Sequence, residues 1–125
     1  MTHSEARAHL AKAREFLAAA VASLEAEQFN AATSSAVICG INSKDAICLR
    51  LTGRTRKPDS HHEAVTELRS AGPPGAMLAP TLGRLLRLKT KSQYQSASIA
   101  MGDAARAVEW ATRLLENAEE IVSIR

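Results

Sequence analysis

The chain has 125 residues and a mass of 13.4 kDa, the size of one folded domain, and it is read as a single domain over 1–125. Hydrophobic residues make up 46% and charged residues 23%, and the longest apolar run, Phe16 to Ala22, is far too short to cross a bilayer, so no membrane role is expected. The net charge of +3 is gathered in one stretch: residues 50–91 hold nine Lys/Arg against three acids (Asp59, Glu63 and Glu67), which polarises that part towards anions. The N-terminus, MTHSEARAHLAKAREF, mixes both signs of charge and lacks the apolar core of a secretory signal, so a cytoplasmic protein is expected.

Alanine supplies 24 residues and the aromatics only four, with no alternating or β-branched runs, a composition that predicts an all-α protein. Thr2 and Glu5 form a capping-box pattern, and Ala6, Leu10, Ala13, Leu17, Ala20 and Leu24 recur at helical spacing, predicting a first helix from about 4 to 26. A second helix is predicted from about 28 to 52, with Ile38, Ile41, Cys48 and Thr52 on its buried stripe and Gly53 as its stop. The short connection makes these two antiparallel. Cys39 and Cys48 fall about 13 Å apart along that helix, too far for a disulfide, and are expected as buried thiols.

Ser60 and Glu63 form a second capping box, opening a third helix from 61 to about 71 with Val65 and Leu68 inward, and Gly72-Pro73-Pro74-Gly75 reads as its terminator. Pro80 suits the first turn of a fourth helix running towards Tyr94. The fifth carries an unbroken seam of Ala100, Ala104, Ala107, Ala111, Leu114, Ala118 and Ile121. The sum is an up-and-down bundle of four to five helices. Seams of alanine bury little area per residue, so a homodimer, covering a further face, is expected.

Three places could carry chemistry. The segment from Arg50 to Glu63 sets Arg54 and Arg56 just ahead of a helix start, where free N–H groups and the helix dipole favour a phosphate. The same dipole should keep His61 and His62 neutral, as a general base must be. Asp45 interrupts the apolar neighbours Ile41, Cys48 and Leu49, so it needs a partner, either a basic side chain or one of the two histidines. Arg84, Arg87 and Lys91 share a face of the fourth helix that could follow a nucleic-acid backbone, with Tyr94 as a stacking ring. A solvated basic face without a ligand would carry the same residues. No His/Cys spacing resembles a metal site, and neither a metal nor a cofactor is expected.

The Ala-rich helix pair with A-x-S-S-A-V-I-C-G-I-N-S-K-D-A-I-C (32–48), the basic loop G-R-T-R-x4-H-H-E-A-V (53–65) and L-L-R-L-K-T-K-S-Q-Y (85–94) resemble the HEPN superfamily, and within it the small stand-alone bacterial proteins. The resemblance implies a dimeric helical bundle. For many members it also implies a metal-independent endoribonuclease with an R-x4-6-H motif, or a toxin–antitoxin module shared with a nucleotidyltransferase partner. In this chain Arg56-x4-His61 and Arg56-x5-His62 fit that spacing, while the later Arg87-x4-Ser92-Gln93-Tyr94 has serine where R-x4-H-x-Y has histidine. On this reading Arg56, His61 and Asp45 are the catalytic candidates, and Arg54, His62, Arg87, Lys91 and Tyr94 would bind RNA or a nucleotide. The alternative is a non-catalytic protein that binds a nucleotidyltransferase partner or nucleic acid, as an antitoxin or a structural dimer.

Overall fold

A computed structural model describes residues 2–56, 60–94 and 99–123. Among the described residues the chain is entirely helical: α1 (Thr2–Glu25), α2 (Phe29–Thr52), α3 (His61–Ser70), α4 (Pro73–Tyr94) and α5 (Met101–Ser123). α1 and α2 pack antiparallel, which puts His9 beside Asn42 and Leu24 beside Ala32. The reversal uses Glu27 at φ 59°, with the N–H of Gln28 bonded to Ser23 and that of Glu27 to Leu24, a helix end that usually employs glycine.

The α1 seam is buried as its spacing demands, with Ala6, Ala13 and Ala20 fully enclosed and Leu10 nearly so. The α5 seam behaves likewise from Ala104 through Ala118. α2 does not. It touches all four other helices and buries residues around most of its circumference, from Val37 and Cys39 to Lys44 and Ile47. The stripe expected from Ile38, Ile41 and Thr52 is instead its most open face: Ile38 is 38% exposed, and of that set only Cys48 is buried. A central helix packed from several sides has no single apolar stripe to read. Gly40 marks the tightest point, where a Cβ would lie 2.5 Å from Leu85 and 3.3 Å from Leu114.

Two predicted stops hold. Gly53, at φ 80°, closes α2 with its N–H on the Leu49 carbonyl (2.9 Å), and Ser60 caps α3 by accepting the Glu63 N–H (3.1 Å). The start of the fourth helix does not. α4 begins at Pro73, seven residues before the expected Pro80, which lies inside it on an exposed position. Proline lacks an N–H that the first turn leaves unpaired anyway, so Pro73-Pro74 starts a helix here and does not only end one. Both cysteines are free and buried, and burial pushes their thiols up to about 11 for Cys39 and about 12 for Cys48.

Candidate anion-binding site

The loop leaving α2 is fastened from beneath. Thr52 accepts the Arg54 N–H (3.4 Å), and Thr55 donates its hydroxyl to Asp45 Oδ1 (2.7 Å). Below both lies Lys44, only 1% exposed, whose Nζ reaches Asp45 Oδ1 (2.8 Å), Thr55 Oγ1 (3.2 Å) and the Arg56 carbonyl (3.3 Å) and also pairs with Glu67 Oε1 of α3. The other Glu67 oxygen accepts the Arg56 N–H at 2.9 Å. Burial alone would pull the Lys44 ammonium's pKa down. The hydrogen bonds and charges of Asp45 and Glu67 more than offset it, so the group is held above the ordinary lysine value.

Above this cluster a groove of about 480 Å³ runs along α3, lined by Arg54, Arg56, His62, Glu63, Thr66, Glu67 and Ser70 among others. The two guanidinium side chains and the His62 imidazole are exposed, and Glu63 closes the first helical turn. Two arginines beside a helix N-terminus suit an anion with several oxygens.

Of the remaining residues singled out from the sequence, His61 is half-buried and does not line the groove. Its pKa is lowered by burial first and by the charge of Lys89 on α4 second, so the imidazole is neutral at pH 7 for a different reason than the expected helix dipole. Asp45 finds its basic partner in Lys44, with His9 Nδ1 at 3.8 Å from its second oxygen, and neither His61 nor His62 supplies it. His9 also meets Asn42 Oδ1 at 2.8 Å. A Cβ on Gly83 would have Arg87 Nη1 and Val65 Cγ2 each at 3.8 Å, so the Arg87 guanidinium lies back along α4 beside α3. Lys91 is paired with Asp103 (2.8 Å), which also takes Arg106 (2.9 Å), joining the end of α4 to the start of α5. Hydrogen bonds from Lys91 and then Arg106 hold the Asp103 carboxyl below the usual carboxylate range. The side chains of Ser92 and Tyr94 lie outside the described residues.

Lys44, Thr55 and Glu67 are the site residues that pattern reading missed. For Lys44 a signal existed: its one-turn neighbours Gly40, Ile41, Ile47 and Cys48 are all apolar, so it could not stand in a solvated face. Among the described residues no three His, Cys, Asp or Glu side chains gather as a metal ion requires. No described helix is long and apolar enough to cross a membrane.

No curated protein matches the chain. The HEPN domain family does, over residues 6–124, which takes in all of α2 to α4 and the entire groove. The chain therefore belongs to the HEPN domain family.

Proposed function

We propose that the groove binds an RNA phosphodiester and that the protein is a metal-independent endoribonuclease of the HEPN type, working as a homodimer in a toxin–antitoxin or defence module with a nucleotidyltransferase partner. The observation that supports the chemistry is the meeting of Arg54, Arg56 and His62 on one groove at a helix start. The guanidinium groups would hold the non-bridging oxygens and steady the charge that grows on them in the transition state. His62, not His61, is the imidazole placed to take the proton of a ribose 2′-hydroxyl. As that oxygen bonds to phosphorus, the bond to the 5′ oxygen breaks, and the departing oxygen takes a proton from the imidazolium. The products are a 2′,3′-cyclic phosphate and a 5′-hydroxyl end. For the dimer, support comes from the small area that the alanine seams bury and from the large hydrophobic side chains left exposed, Met77, Met101, Val21 and Ile38.

The test is incubation of a single-stranded RNA with the protein in the presence of a chelator. Cleavage leaving cyclic phosphate ends is expected, falling about 100-fold or more in His62→Ala and persisting in His61→Ala. No cleavage by the wild-type protein would overturn the nuclease reading, and full activity in His62→Ala would overturn the role given to His62. RNA binding without cleavage would leave the non-catalytic alternative in its place.

A further inference from the structure

We infer that Lys44 and Glu67 together are the positioning device for Arg56, setting the direction in which its guanidinium enters the groove; the inference rests on the RNA-binding reading above. The loop residue Arg56 is exposed, yet neither of its main-chain polar groups is left to water alone. Its carbonyl accepts from Lys44 Nζ (3.3 Å) and its N–H donates to Glu67 Oε2 (2.9 Å), while Lys44 and Glu67 pair with each other. Asp45 completes the cluster by holding both Lys44 (2.8 Å) and the preceding Thr55 hydroxyl (2.7 Å). One buried ammonium thus joins α2, the loop and α3 at the residue whose side chain meets the ligand. Fixing both main-chain groups restricts the backbone of Arg56, so less freedom is lost when its side chain engages an anion.

Glu67 gives this a sign that simple electrostatics does not share. Its carboxylate lines the anion groove, so removing a negative charge there should tighten RNA binding if charge alone mattered. If Glu67 works through Arg56, removing it should weaken binding instead.

The experiment combines RNA affinity with hydrogen exchange at single amides. In the wild-type protein the Arg56 amide is expected to be protected well beyond that of its loop neighbour Thr55. In Glu67→Ala the Arg56 amide should exchange about tenfold faster or more, with the amides of Ile47 and Leu85 unchanged, as loss of one charge-assisted hydrogen bond requires. Affinity for a single-stranded RNA 20-mer should fall about tenfold, and Glu67→Ala should add nothing in an Arg56→Ala background. Tighter binding by Glu67→Ala, additive losses in the double variant, or an Arg56 amide unprotected in the wild type would overturn the inference. Should the wild type bind no RNA, the functional reading fails by itself, and exchange at Arg56 still decides whether the main chain is held. If Glu67→Ala loses protection throughout the molecule, the wild-type comparison of Arg56 with Thr55 decides it.

Discussion

Glu27 holds a left-handed backbone conformation that costs a residue with a Cβ about 1–2 kcal/mol and glycine nothing comparable. Glu27→Gly gives back part of the gain through the freer unfolded chain, and a net stabilisation of about 0.5–1 kcal/mol is expected in denaturant unfolding. His61 carries a pH dependence of definite sign. Its folded pKa lies below the ordinary 6.5 because burial and then Lys89 disfavour the charged ring, so the unfolded chain takes up the proton first. Stability should therefore decline as pH falls through 6.5 and level off below the folded pKa, and His61→Asn should flatten that part of the curve. Lys44 acts at the other end: its raised pKa makes its contribution complete below 10.5 and lost only as pH rises through the still higher folded value. Neither behaviour can be read from residue type. A lysine between Ser43 and Asp45 looks solvated until its one-turn neighbours are counted, and the Lys89 beside His61 is 28 positions away in the chain.

At the scale of the element, helix ends with explicit chemistry were legible and ends defined by packing were not. Gly53 and Ser60 announce themselves because an αL glycine and an N-cap hydroxyl act locally. Ser60→Ala should lower stability by about 1 kcal/mol and loosen the first turn of α3, the wall that carries His62, as followed by thermal unfolding and by His62 line shapes. The α3–α4 corner misled because Gly72-Pro73-Pro74-Gly75 contains both terminating and initiating residues. Its geometry depends on Gly75, where a Cβ would strike the Leu68 carbonyl oxygen. A backbone atom cannot swing aside as a side chain can, so Gly75→Ala should destabilise by about 1–3 kcal/mol despite its better helix propensity, a result opposite in sign to Glu27→Gly.

Across the whole molecule, the all-α bundle was written in the periodicity of α1 and α5, whose seams face one core. α2 hid its orientation because it is the axis the others pack against, and with it hid which residues Asp45 and Lys44 would meet. The anion site followed a similar division. Arg54, Arg56 and His62 were visible as a local cluster around a cap and do share a groove, whereas His61, one residue away, does not line it and feels the charge of Lys89 on α4, since adjacent helical residues point about 100° apart. The polar cluster beneath them joins residues 44, 45, 55 and 67 across two helices and a loop, which no single-window pattern contains.

The claim that this groove takes the phosphates of RNA is tested most directly by titrating a single-stranded RNA 20-mer into wild type, Arg54→Ala and Arg56→Ala over a range of salt concentrations. Each guanidinium that neutralises a phosphate contributes about 0.7 to the slope of log K against log salt on a single strand. The account predicts binding that weakens with salt, with each variant weaker and its slope shallower by about that amount. Wild-type protein that binds no RNA at low salt, or variants with unchanged affinity and slope, would contradict it.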